Sequence, residues 1–262
     1  MKNILITGAG SGIGKDLAIA LSGRGYGVHA TTETQEQLES LKKEFHQKGH
    51  KMQVWKLDVT LPEDREKILN HTIDVLINNA AIGESGSLAE VPLSLIRKSF
   101  EVNVFAPIAL TQLVLPQMIK RGTGSVIFVS SLAGRAPMPF LNPYSMTKFA
   151  LSGGVAALKK EIKKIAKEIH IILIEPGTYA TGFNQRMLAT KYAWMNEHSF
   201  FYNNISKMKK EETKQFARIE EKSTVSIVKK IIQAVESNNP KVRYVAPAYQ
   251  GFFIQLMRMF GR

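Results

Sequence analysis

The stretch Thr7-Gly8-Ala9-Gly10-Ser11-Gly12-Ile13-Gly14 narrows the possible folds of this chain more than any other. Before it, Lys2 to Ile6 reads as a buried strand. After it, a helical run extends from Ile13 to about Arg24 and is closed by Gly25 and Gly27. Strand, glycine-rich turn and helix form the context that a phosphate-cradling loop requires. The glycines let the backbone approach a pyrophosphate closely, and the helix N-terminus offers free N–H donors and a positive dipole end. A plain structural turn is the alternative for the glycine pattern taken alone.

Strand and helix signals then alternate to the C-terminus. Gly27 to Thr32 is a second strand, with Glu33 at its end, 19 residues past Gly14. A carboxylate there can accept from ribose hydroxyls and repel a 2′-phosphate; a solvated strand end is the alternative. Thr34-Gln35-Glu36-Gln37 has the form of a capping box opening a polar helix to about Lys48. Met52 to Leu57 is a third strand ending in Asp58-Val59, and Pro62 opens a short charged helix. Ile73 to Ile77 is a fourth, followed by Asn78-Asn79-Ala80-Ala81. Small residues there let the backbone lie against a flat ring while the amides tie neighbouring strands together.

From Pro92 to about Lys120 the pattern is helical, with a bend expected at Pro107. Asn103 sits among apolar neighbours and must be hydrogen-bonded if buried; it fits a held water, a distorted turn or a satisfied core amide. Ser125 to Val129 is a fifth strand, then Ser130-Ser131. A hydroxyl at that end points into the ligand crevice of a parallel sheet, unless it caps a turn. Ile169 to Ile174 leads into Glu175-Pro176-Gly177-Thr178-Tyr179-Ala180-Thr181. Residues 182–222 are rich in aromatics and read as one or two short helices forming a substrate lid. A helix over 224–236 and a strand over 242–245 precede an apolar helical stripe at 249–260, flanked by Arg258 and Arg262. This alternation implies an α/β fold, a mainly parallel sheet with helices on both faces, in a single domain over 1–262.

Asn142 and Pro143 suit the start of a helix that carries Tyr144 and Lys148 four residues apart on one face. A phenol with a pKa of about 10 is a poor base at neutral pH. A nearby ammonium and the positive end of the helix dipole favour the phenolate, which could pass a proton to or from a substrate oxygen. Taken alone, this spacing is common, and a surface Tyr and Lys on an ordinary helix is its usual meaning.

The net charge of +13 raises the question of nucleic acid or anionic lipid. The basic residues are spread, and the local cluster Lys159, Lys160, Lys163, Lys164 and Lys167 reads as a solvated helix end, so no nucleic-acid partner is expected. The chain has no cysteine, which excludes disulfides and thiolate metal sites; no metal is expected. No apolar run was evident that approaches the roughly 18 residues of a membrane span, and a strand follows Met1 directly, so a cytoplasmic location is expected.

Together the glycine turn, Asn78-Asn79-Ala80-Ala81, Ser131, Tyr144-x-x-x-Lys148 and Pro176-Gly177-Thr178-Tyr179-Ala180-Thr181 resemble, in order and spacing, the short-chain dehydrogenase/reductases. The resemblance implies a Rossmann-type doubly wound parallel sheet and hydride transfer between NAD(H) or NADP(H) and an alcohol or carbonyl. It implies Tyr144 as proton donor and acceptor, Lys148 as the residue that lowers its pKa and binds the nicotinamide ribose, Ser131 on the substrate oxygen and Asn103 in a water-mediated relay. It places Gly8, Ser11, Gly12, Ile13, Gly14, Glu33, Asp58, Val59, Asn79, Ala80, Ala81, Pro176, Gly177, Tyr179 and Thr181 along the cofactor, with Ala81 where the family usually has glycine. Glu33, with Ser11 at the loop position where NADP-preferring relatives often carry a cation, points to NAD(H) over NADP(H). Met138, Phe140, Leu141, Tyr179, Phe183, Met187 and the aromatic 192–202 stretch are expected to line an apolar pocket for a lipophilic substrate. The 249–260 stripe is expected to pack on its own domain or a second subunit, with a peripheral membrane anchor as the alternative. The family's dimers and tetramers make a homo-oligomer the expectation.

Overall fold

The computed structural model describes residues 1–47 and 52–260; Lys48, the expected end of the second helix, and Arg262 lie outside the described residues. In β1 (Asn3–Ile6), Ile4 and Ile6 belong to one buried cluster and Leu5 to another. In β4 (Val75–Asn78), Val75 and Ile77 fall on the first side and Leu76 on the second. Strands buried on both faces need helices on both faces, which parallel crossovers supply.

The chain accordingly runs β1, α1 (Gly12–Ser22), β2 (Gly27–Thr32), α2 (Gln35–Gln47), β3 (Gln53–Lys56), α3 (Pro62–Glu66) and β4. Then come β5 (Ser85–Gly86), α4 (Leu93–Phe100), a π-turn (Glu101–Phe105), α5 (Ala106–Arg121), β6 (Gly124–Val129), β7 (Asn142–Pro143) and α6 (Tyr144–Ile165). The last elements are β8 (Ile169–Pro176), α7 (Phe183–Trp194), α8 (Ile205–Ile219), α9 (Val225–Glu236), β9 (Arg243–Ala246) and α10 (Ala248–Met259). Seven strands form a parallel sheet in the order β3-β2-β1-β4-β6-β8-β9, the Rossmann-type doubly wound fold. Ile4 lies opposite both Val28 and Val75. The winding reverses between β1 and β4, and a crevice opens there at the carboxyl ends of the strands. β5 and β7 form a separate antiparallel ribbon with Ser85 opposite Pro143.

Three local expectations change. The break in the long helix is the π-turn centred on Asn103; Pro107 lies just after it, in the first turn of α5. Asn142 does not cap α6: it pairs with Gly86 in the ribbon, and the cap position falls to Pro143 without a side-chain bond. Helical residues 93–121 are, by length and composition, long and apolar enough to cross a membrane, contrary to the sequence reading. Here Val102, Ala106, Leu110, Val114 and Met118 from this stretch pack into the core cluster that holds Leu5 and Leu76.

Candidate active site

Every carboxyl end of the central strands delivers a residue to one cleft of about 1880 Å³. Gly8, Ser11, Gly12, Ile13 and Gly14 line it from the first turn, Glu33 from the end of β2, Asp58 and Val59 from beyond β3, and Asn79, Ala80 and Ala81 from beyond β4. Ser131, Tyr144, Lys148, Pro176, Gly177, Tyr179 and Thr181 border the same space.

The glycine turn needs its glycines. Gly8 has φ +66°, and a Cβ there would stand 2.7 Å from the Ala80 Cα. Thr7 fixes that approach: its Oγ1 accepts from the N–H groups of Asn79 and Ala80, both at 3.0 Å. The Asn79 side chain donates back to the carbonyls of Thr7 (2.9 Å) and Gly8 (3.1 Å). Ser11 precedes α1 in extended conformation and makes no side-chain cap bond, so the first-turn N–H groups have no side-chain acceptor there. That cradle fits the diphosphate of a dinucleotide. At the far end Glu33 lines the cleft, and its N–H donates to Gln37 Oε1 (3.2 Å). The capping box is half formed: Gln37 N–H donates to Thr34 Oγ1, while its side chain reaches Glu33 instead of Thr34. Lys15 is ion-paired with Glu44 at 3.0 Å. Asp58 Oδ1 accepts from Thr60 N–H and Oγ1.

On the other side, α6 presses against the turn that follows β6. A Cβ on Gly134 would meet the Lys148 carbonyl at 2.6 Å, so glycine sets how close the two can come. Ser145 Oγ donates to the Ala133 carbonyl (2.6 Å) and Tyr144 N–H to the Glu84 carbonyl (3.0 Å). Ser131 fills both roles the sequence left open: its Oγ accepts from Ala133 N–H at 3.1 Å and lies beside Tyr144 in the cleft. Lys148 is buried, donates to the Val129 carbonyl (3.0 Å), and has its Nζ 5.5 Å from the centre of the Tyr144 ring.

Burial dominates both titrations. It pushes the Tyr144 phenol up to about 12, opposed by the neighbouring Ser131 hydroxyl, and brings the Lys148 ammonium down to about 8. The lowered phenol expected from Lys148 and the helix dipole is therefore not the state of the protein by itself. Desolvation outweighs the Ser131 hydroxyl there.

Asn103 is 1% exposed and borders the cleft with no atom. Its amide exchanges two 2.9 Å hydrogen bonds with the backbone of Ile82 and donates to Thr147 Oγ1 (3.1 Å), so the distorted turn and the satisfied amide are both present. Tyr179 is also largely structural: its ring is in the core and its hydroxyl is 2.7 Å from Ser226 Oγ.

Met138, Phe140, Leu141, Phe183 and Met187 line the cleft as expected, with Phe183 5.5 Å from the Tyr144 ring. The 192–202 aromatics do not. Tyr192 is bonded to Glu212, the Trp194 ring packs on Gly86, and Phe201 packs edge-on against Phe140. Their places are taken by Phe216 and Ile219 of α8 and by Phe252, Phe253, Leu256 and Met257 of α10. The helical spacing of the α10 residues was visible in the sequence; that they border a cleft was not. α10 packs on its own domain through Gly251 and Ile254, while Phe252, Phe253 and Phe260 are exposed in the single chain. Glu84 and Ser85, on the cleft wall, carried no sequence signal.

A doubly wound sheet with a glycine cradle at its switch point and a Ser-Tyr-Lys group in the same cleft defines a dinucleotide-dependent oxidoreductase. More specifically, residues 2–191 match the short chain dehydrogenase family, and the chain belongs to it. It is 36% identical over 191 residues to the uncharacterized oxidoreductase YusZ of Bacillus subtilis, covering 69% of this chain and 66% of that one. Against human 17-beta-hydroxysteroid dehydrogenase type 1 it is 28% identical, over 98% of this chain and 80% of the other. A short-chain dehydrogenase structure from Streptomyces avermitilis superposes with a TM-score of 0.80 at 27% identity, covering 100% of this chain and 94% of the other. Two more distant structures share the fold. One from Burkholderia phymatum, in complex with NAD, has a TM-score of 0.84 at 18% identity, covering 98% and 93%. Actinorhodin polyketide ketoreductase with NADPH has 0.77 at 22%, covering 94% and 95%. The chain spans about two thirds of the length of the Bacillus relative.

Proposed function

We propose that this oxidoreductase moves hydride between a nicotinamide cofactor, NAD(H) in preference to NADP(H), and a lipophilic secondary alcohol or ketone. The observation that carries the reading is the continuity of one cleft from the glycine cradle to Ser131, Tyr144 and Lys148. When bound, the cofactor supplies the hydride chemistry. The residues of the chain hold, orient and move a proton.

Gly8, Gly12 and the first turn of α1 would hold the diphosphate, Asp58 and Val59 would serve the adenine, and Asn79, Ala80, Ala81, Pro176, Gly177 and Thr181 the nicotinamide half. Lys148 Nζ, with one donor on Val129, would have its remaining donors for the ribose. Its charge, together with that of an oxidised ring, favours the Tyr144 phenolate over the buried phenol. Ser131 Oγ holds the substrate oxygen. Tyr144 delivers its proton to that oxygen in reduction and removes it in oxidation. Asn103 is a positioning residue that holds Ile82 and Thr147.

The NAD(H) preference is supported by Glu33 at the ribose end and by Lys15 being paired with Glu44. The apolar wall of Met138, Phe140, Leu141, Phe183, Met187 and Phe216 supports a lipophilic substrate. Exposed Phe105, Ile108 and Phe149, on the helices that carry Asn103 and Tyr144, support a homo-oligomer, which light scattering would read as a multiple of 29.2 kDa.

Tyr144→Phe removes the ionisable hydroxyl and keeps the ring. With an alcohol and ketone panel, turnover falls by about 10²–10⁴ while cofactor binding persists. Near-normal turnover in that variant refutes the assignment, and turnover of polyols with none on apolar ketones refutes the substrate class.

A further inference from the structure

The mechanism above leaves one buried charge in the substrate half of the cleft unused. Glu84 is 6% exposed, Ser85 is 1% exposed, and both border the cleft. Glu84 Oε2 and Ser85 Oγ have no hydrogen-bond partner. A buried carboxylate without a donor is expensive, and native structures rarely leave one so.

Its position ties it to the reacting centre. The Glu84 carbonyl accepts from Tyr144 N–H, and Ser85 pairs with Pro143 in the ribbon just before that tyrosine. Gly83, the preceding residue, lies under Phe183 and Met187: a Cβ on it would stand 2.9 Å from the Phe183 ring. Glu84 is thus tied through its backbone to the tyrosine, next to a glycine covered by apolar side chains, with Lys98 and Glu101 on the same cleft. Desolvation raises the Glu84 pKa; the Lys98 ammonium pulls the other way, yet among the described residues no cation comes within ion-pair distance of it.

We propose that Glu84, with the Ser85 hydroxyl beside it, is a specificity-determining pair that accepts a hydrogen bond from a hydroxyl or ammonium substituent of the substrate and turns carboxylates away. The inference rests on reading this part of the cleft as the substrate site. It narrows the substrate from a lipophilic carbinol or carbonyl to one that also carries a donor group. A donor satisfies the acceptor that burial leaves open, whereas an anion meets both an unpaired carboxyl and a like charge.

Titrating the full chain, saturated with reduced cofactor so that an alcohol has no hydride acceptor, with hexylammonium, 1-hexanol and hexanoate tests this without turnover. Hexylammonium and 1-hexanol bind at least about tenfold more tightly than hexanoate, since a buried carboxylate left unpaired or faced with a like charge is worth about 1.4 kcal/mol or more. In Glu84→Gln the gap narrows to within about threefold. Hexanoate binding as tightly as the other two to the wild type overturns the proposal by itself, whatever the folding of the variant. So does a Glu84→Gln protein, with its melting temperature retained, that keeps the discrimination. Loss of all turnover on the alcohol and ketone panel, with this binding preference intact, would refute the proposed reaction and leave the role of Glu84 standing.

Discussion

In β8 every residue except His170 is buried; in α8, which borders the same cleft, none is. The sheet half of the site is held by apolar layers on both faces. The lid half is held by charges and amides. Lys191, 2% exposed, donates to both oxygens of Glu212, one at 2.6 Å and the other at 2.5 Å, so that α7 is tied to α8. Asn184 donates to Glu220 at 2.7 Å, and Glu90 accepts from Ser199 Oγ and Phe200 N–H, both at 2.7 Å. The less buried half is the one expected to open first.

The sharpest test of that division is Lys148→Met. Turnover falls by about a hundredfold or more, because the phenolate loses its counter-charge, while hydrogen exchange of the lid is unchanged. Lys148 also marks the sheet half by pH. Its folded-state pKa of about 8 lies below the ordinary 10.5, so between those values the unfolded chain holds a proton that the folded one has released. Cofactor-free stability then rises with pH across that window, and the rise is missing in Lys148→Met. A rise of equal size in the variant would place the titration elsewhere.

Glu212→Ala aims at the other half. It leaves the Lys191 ammonium buried without its carboxylate, a loss of about 1–3 kcal/mol that speeds amide exchange in α7 and α8 by about ten- to a hundredfold. Amides of β8 keep their protection. Equal acceleration in both would show that lid and sheet unfold as one unit.

These two halves also differ in how far the sequence revealed them. The strand–glycine–helix context could be read because backbone conformation imposes residue types, as at Gly8 beside Ala80, and Ser131, Tyr144 and Lys148 became readable only through their order and spacing after that turn. The lid obeyed no such rule. Two helices over 182–222 were readable, but which aromatics face the cleft depends on tertiary docking, so Tyr192, Trp194 and Phe201 were placed in a pocket they do not line. The desolvation that keeps Tyr144 protonated follows from burial and was invisible too.

Cofactor choice comes next in size. Glu33→Arg removes a carboxylate and adds a cation at the end of β2, so the NADP(H)/NAD(H) ratio of kcat/KM rises about tenfold or more, about 1.4 kcal/mol per tenfold. A wild type that already prefers NADP(H) would contradict the reading.

The smallest effect lies on β2, one strand in from the edge of the sheet. Burial, reinforced by His71 4.7 Å away, holds His29 down at about 4, against 6.5 unfolded. Stability is full above 6.5 and is lost as pH falls toward 4, because the unfolded chain takes up the proton first. From pH 6.5 to 5.5 the loss is at most roughly 1 kcal/mol, or about 2–4 °C of melting temperature. His29→Gln flattens this slope; a slope unchanged by the substitution would assign it to other groups.

The Thr7 hydroxyl bridges the strands at the point where the winding reverses, collecting two N–H groups from the far wall and donating to the Ile77 carbonyl, while Asn79 returns two bonds of its own. The width of the slot between the first and fourth strands is thus gauged during folding, before any ligand arrives. A flat ring entering it meets a spacer already cut to size, so the ordering entropy of those walls is charged to the fold and not to the affinity.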